Sequence, residues 1–135
     1  MQDFTNLKVW QKAHTLTVNI YKATSGFPSE EKAEAKLPSR LTTICAYALR
    51  LISQIRRASV SIESNLAEGC GRNSDKEFAR FVSIAQGSAF EVRCQLMLAK
   101  DLGYMPAEKF DLFEQKISEV NRMLNVLNQK LRAKS

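Results

Sequence analysis

Phe110, Phe113, Ile117, Val120, Leu124, Leu127 and Leu131 follow one another at spacings of 3, 4, 3, 4, 3 and 4 residues. This rhythm constrains the chain more than any other feature. Alternating spacings of this kind put every one of those side chains on one face of an α-helix, and no strand does so. An apolar stripe of that length needs other elements to cover it. Met105-Pro106 opens the helix, with proline in the first turn where its missing N–H costs nothing. Glu108, Asp111 and Glu114 come early and Lys130, Arg132 and Lys134 late, the order that a helix dipole favours. The basic C-terminal end thus has a structural explanation beside that of a binding tail.

Three more helices read from the same kind of pattern. Ser74-Asp-Lys-Glu77 is a capping box: the Ser74 hydroxyl accepts from the Glu77 amide while the Glu77 side chain reaches back. The helix it starts carries Phe78, Phe81, Val82, Ala85, Ala89, Val92, Leu96 and Ala99, and ends near Leu102-Gly103, where Gly103 suits a left-handed cap. Upstream, Ile44, Ala48, Leu51, Ile55, Ile62 and Leu66 mark a core face, with Ala58 or Ser59 filling its gap and Gly69 stopping the helix. Near the start, Leu7, Trp10, Ala13, Thr17, Ile20 and Tyr21 mark another, closed by Ser25-Gly26-Phe27-Pro28. In residues 29–40, Ser29 can cap a short helical turn through Lys36, Pro38 breaks it, and Ser39 can cap the next helix. Only 5 Gly and 3 Pro occur in 135 residues, so long stretches lack a breaker. The expected architecture is all-α, one domain over 1–135. It is an antiparallel up-down-up-down four-helix bundle with helices at about 5–25, 41–68, 74–102 and 106–132 and an irregular connection at about 26–40.

With 20 Lys+Arg against 14 Asp+Glu the chain carries a net +6, which suits an anionic partner or simply a charged, soluble surface. Cys45, Cys70 and Cys94 are odd in number and widely spaced, which fits free thiols in a reducing cytoplasm. By context Cys70 is the most exposed of them, near a helix end and Arg72. The first residues, MQDFTNLKVWQK, resemble neither a signal nor a transit peptide. No run approaches the roughly 18 apolar residues of a membrane span. His14 is the only histidine, no Glu-x-x-His accompanies Glu63 or Glu68, and no Cys/His pair is close enough for zinc. No metal, cofactor or catalytic residue is expected, and the chain does not read as an enzyme.

The stretch QIRRASVSIESNLAEGCGR, residues 54–72, raises the question of phosphate binding. Gly69-Cys70-Gly71 is not a Walker loop, since a helix precedes it and Arg72-Asn73-Ser74 follows. It reads as the turn between two helices. Arg50 and Arg57, with Gln54, Ser61 and Ser64, fall opposite the isoleucine stripe, and Arg56 lies at the edge of that face. Together with Arg72 they form either a solvated face or a cationic strip for nucleic acid. Tyr47 and Tyr104 are the candidate stacking aromatics. Apolar residues off the main stripes, Ile84, Phe90, Met97 and Leu98 in the third helix and Val9, Leu16 and Val18 in the first, suit an oligomer interface or a wide core stripe.

At these residues the chain resembles the small bacterial four-helix-bundle protein family, also called 23S rRNA-intervening sequence proteins. The matching segments are FTNLKVWQKAHTLTVNIY (4–21), GFP (26–28), QIRRASVSIESNLAEGCGRNSDKEFARFVSIAQGSAFEVRCQL (54–96) and LGYMP (102–106). The run from Gln54 to Ser88 is the most specific. The chain departs from the family between Pro28 and Gln54, where its 25 intervening residues exceed the usual connection. The resemblance implies an antiparallel bundle that assembles as a ring of five and has no catalytic activity. A related protein, the accessory variability determinant of diversity-generating retroelements, is a basic pentameric bundle that binds nucleic acid and a reverse transcriptase. Asn65, Glu68 and Gly69 match the family's Asn-x-x-Glu-Gly segment and are expected to tie the second helix to the turn, with Glu68 pairing Arg72 or an arginine of a neighbour. The expected function is an oligomeric, RNA- or DNA-binding bundle acting through Arg50, Arg56, Arg57 and Arg72. The alternative is a scaffold for a protein partner such as a polymerase.

Overall fold

The computed structural model describes residues 3–27 and 39–135, the side chains of residues 39–45 aside. Four α-helices follow a short 3-10 turn at Phe4–Asn6: α1 (Lys8–Thr24), α2 (Ser39–Cys70), α3 (Asp75–Asp101) and α4 (Ala107–Lys134). Among the described residues there is no strand. Each helix packs on its neighbours in the chain, and α1 also meets α4, while the diagonal pairs α1/α3 and α2/α4 stay apart. This is the arrangement of an up-down-up-down bundle. The readings at Pro28, Ser29 and Pro38, and at the side chains of Ile44 and Cys45, lie outside the described residues.

The core is largely the stripes foreseen for α2, α3 and α4, with Phe81 and Leu127 only half-buried at its margin. Ile55, Ile62 and Leu66 meet Val82, Ala85, Val92 and Leu96, with Phe110, Phe113, Ile117, Val120 and Leu124 closing the other side. Ala58 and Ser59 are both buried and fill the gap in the α2 stripe together. Opposite them α3 also buries small residues, Ala85, Ser88 and Ala89, so the α2 and α3 backbones approach closely. Hydroxyls and amides stitch the interior. Thr17 Oγ1 on α1 reaches the Ser59 carbonyl at 3.1 Å. Ser61 Oγ and Ser88 Oγ lie 2.9 Å apart. Asn128 donates from Nδ2 to Ser83 Oγ and Gln86 Oε1.

Helix ends follow local chemistry. Ser74 Oγ accepts from the Glu77 amide at 3.2 Å, which is one half of the capping box. Gly103 adopts φ 79°, and the Gly103 and Tyr104 amides return to the Lys100 and Ala99 carbonyls in a Schellman motif. Pro106 stands as the N-cap of α4.

Several boundaries and faces differ from the sequence reading. The first helix begins at Lys8, because Asp3 accepts from the Thr5 amide and hydroxyl and winds residues 4–6 into a tighter turn. These same bonds hold the Asp3 carboxyl below its ordinary pKa, the Thr5 hydroxyl contributing most. Ser39 lies within α2, not before it. Val9 and Leu16 are core residues, whereas Tyr21 is exposed, its ring beneath the Arg56 guanidinium at 4.6 Å. Gly69 does not end α2, which continues to Cys70. Its lack of a side chain serves packing: a Cβ there would lie 2.7 Å from Phe78 Cδ1 and 2.9 Å from Phe81 Cβ. Cys70 is buried in the core, and of the two cysteines whose side chains are described Cys94, on α3, is the exposed one.

Candidate nucleic-acid interface

The four arginines singled out from sequence do not form one strip. Arg56 belongs to the end of α1. Its Nε donates to Thr24 Oγ1 at 2.9 Å and its Nη2 to the Tyr21 carbonyl at 3.2 Å, while Thr24 donates onward to the Ile20 carbonyl. A cation on the last carbonyls of a helix offsets the negative end of its dipole. Arg72 is engaged too: Nη2 donates to Glu68 Oε1 at 2.8 Å and the guanidinium lies 4.8 Å from the Phe81 ring. Both partners of that ion pair are half-exposed, so it contributes only about 0.3–0.5 kcal/mol. Glu68 therefore spans from α2 into the turn, whereas Asn65 turns back, donating to the Ser61 carbonyl and hydroxyl.

Arg50 and Arg57 are the free pair. Both are exposed on α2, about two turns apart, and neither meets a carboxylate among the described residues. Arg50 borders a hollow of about 470 Å³ shared with Tyr47, Gln54, Leu98 and Tyr104. It thus stands beside both tyrosines named as stacking candidates. His14 stacks on Trp10 with ring centroids 4.9 Å apart, and its Nδ1 lies 2.7 Å from Glu63 Oε2. Among the described residues no three His, Cys, Asp or Glu side chains gather as a metal site, and no helix is long and apolar enough to cross a membrane.

A further basic surface was not apparent from sequence. It lies along the α1/α4 seam, where three hollows of about 600, 340 and 300 Å³ follow one another. Lys8 and Met123 are common to the first two, and Lys116 to the first and third, so the hollows form one groove. Lys8, Lys12 and Lys22 line one wall, and Lys109, Lys116, Arg122 and Lys130 the other. The only carboxylate in the lining is Glu119, held by Lys12 at 3.2 Å. The walls come from opposite ends of the chain, so no local motif marks the groove. The sequence signal was the row of lysines just off the α4 stripe.

Comparison with known proteins agrees with this architecture. A solved structure from Bacteroides thetaiotaomicron, described as a protein of unknown function from the S23 ribosomal protein family, superposes with a TM-score of 0.71 at 22% identity. The match covers 89% of this chain and 97% of that one, and it shows a shared fold. No curated protein matches. The residue pattern described as 23S rRNA-intervening sequence protein spans residues 5–126, and on that span the chain belongs to the 23S rRNA-intervening sequence protein family.

Proposed function

We propose that the protein is a non-enzymatic, cytoplasmic, self-associating bundle that holds nucleic acid, structured RNA foremost, by its phosphates. The observation that carries this reading is the pair Arg50 and Arg57, exposed on one helix without carboxylate partners among the described residues, with Arg50 beside a hollow flanked by Tyr47 and Tyr104. Guanidinium groups take phosphate oxygens in a planar fork, and tyrosine rings stack on unpaired bases. Arg56 is engaged with the end of α1 and Arg72 with Glu68, so neither is assigned a phosphate contact in this reading. The family's name, which refers to 23S rRNA, favours RNA over DNA. Kinship with the accessory variability determinants would set that nucleic acid beside a reverse transcriptase.

Self-association is supported by α3, which leaves Ile84, Phe90, Met97 and Leu98 in solvent on the side away from the core. In a ring, five by resemblance, each copy would repeat the arginine pair, and weak sites would add by avidity. Cys94 lies on the same helix between Phe90 and Met97 and reports on this face. In dilute protein, brief alkylation should modify Cys94 and spare Cys70, whose thiol burial pushes to higher pKa, with the Asp3 charge adding to the effect. Raising the protein concentration should slow Cys94 labelling, read by peptide mass mapping. Concentration-independent labelling, with the solution mass of a monomer, would remove α3 as an interface.

The binding test is a salt titration with an RNA hairpin and a DNA duplex. Affinity should fall steeply with salt, and Arg50→Gln with Arg57→Gln should weaken binding to all sequences. The double variant should flatten the log–log slope by about one for each phosphate it no longer neutralises. Arg56→Ala should instead lower the melting temperature. Absence of binding at about 50 mM salt, or an unchanged slope in the double variant, refutes the arginine surface.

A further inference from the structure

The α1/α4 seam differs in chemistry from the arginine face and lies on the opposite edge of the bundle. We infer that it is a docking groove for an acidic amphipathic helix of a partner protein. Its floor is aliphatic: Leu16, Val120 and Met123 lie at the centre, and Leu112 and Val126 stand 58% and 49% exposed towards the two ends. Its rims are cationic on both sides, with Lys8 and Lys22 facing Lys116 and Lys130 along its length. From Lys8 to Lys22 it runs for about 21 Å, roughly four turns of a docked helix.

A helix with an apolar stripe and glutamates on its flanks matches every part of this surface. Its stripe covers the floor, and its carboxylates meet the rim lysines, which steers and orients the encounter. Nucleic acid matches only the rims. Phosphates gain nothing from an aliphatic floor, and the groove lining has a single aromatic ring, the buried Phe113. The nearby Trp10 is taken by Phe4 and His14. This docking groove does not depend on the arginine surface binding RNA.

The probe is a fluorescein-labelled synthetic helix of about 18 residues with leucines on one face and glutamates flanking them, titrated into the full-length protein. The control has the same composition, scrambled so that no face is apolar. Four exposed positions are changed in pairs, Lys116→Glu with Lys130→Glu, and Leu112→Gln with Val126→Gln, and melting curves confirm that each variant is folded. The expected result is saturable binding to the native protein. It should weaken about ten-fold with the scrambled peptide and about ten-fold in each double variant. RNA affinity should change far less than peptide affinity. Equal binding of the scrambled peptide would reduce the seam to a nonspecific polycation surface and overturn the proposal. So would no binding at about 1 mM peptide. Loss of RNA affinity in the lysine variant with peptide binding intact would assign the seam to nucleic acid instead. A fall in solution mass in either variant would assign it to a second copy of the chain. Failure of the RNA titration alone would leave this result unaffected.

Discussion

Gly69→Val should be among the most damaging single substitutions in the molecule, lowering stability by at least about 2 kcal/mol. The site lies within α2, where valine's backbone angles are allowed, so the cost comes from space. Even one added carbon would sit 2.7 Å from Phe78 Cδ1 and 2.9 Å from Phe81 Cβ. Phe78 is itself buried, and Phe81 Cβ is fixed to the α3 backbone, so relief requires α3 to move away from α2. Valine adds two further carbons to that contact. Alanine should cost less, because gaining a helix-favouring residue returns up to about 1 kcal/mol. Urea unfolding of the three proteins reads this order, glycine above alanine above valine. A valine variant as stable as the native protein would show that α2 and α3 do not approach as described.

The second large effect is expected from Leu124→Ala, a loss of about 2–5 kcal/mol. Leu124 has no exposed surface, and its removal leaves a void that the surrounding Ile, Val and Leu side chains fill only partly. Its internal control is two residues away. Val126 is half-exposed on the same helix, and Val126→Ala should change stability by no more than about 0.5 kcal/mol. At about 2–8 °C per kcal/mol for domains near this size, thermal melts separate the two variants easily. Equal effects would mean that the heptad stripe does not form the core.

The stripe of α4 was legible because every member points one way and no polar residue interrupts it. The caps at Ser74 and Gly103 were legible because each rests on a bond or an angle that few residues supply. Reading failed where a residue's role depends on a distant partner. Tyr21 has the spacing of a core residue, yet its ring is exposed and lies under the guanidinium of Arg56, 35 positions away. Gly69 looks like a stop signal locally, and only the rings of Phe78 and Phe81 give its position a different meaning. Arg56 and Arg57 are neighbours in sequence with opposite fates, because about 100° of helix rotation places one against α1 and the other in water. The α1/α4 groove was invisible for the same reason: Lys8 and Lys130 become neighbours only when the bundle closes.

That groove also bears on how the molecule comes apart. A bundle is loosened most cheaply along the edge that excludes least water, and here three adjoining concavities run along the joint between the first and last helices. Away from the hollow beside Arg50, the opposite edge is close-packed through small side chains and tied by Ser61 and Ser88. Sub-global opening should therefore peel α1 from α4 while α2 and α3 remain joined, giving the amides of α1 the faster route to hydrogen exchange. The Arg56 clasp on the last turn of α1 then acts as the hinge pin of that opening, and a ligand bridging the two walls of the groove would hold the edge shut.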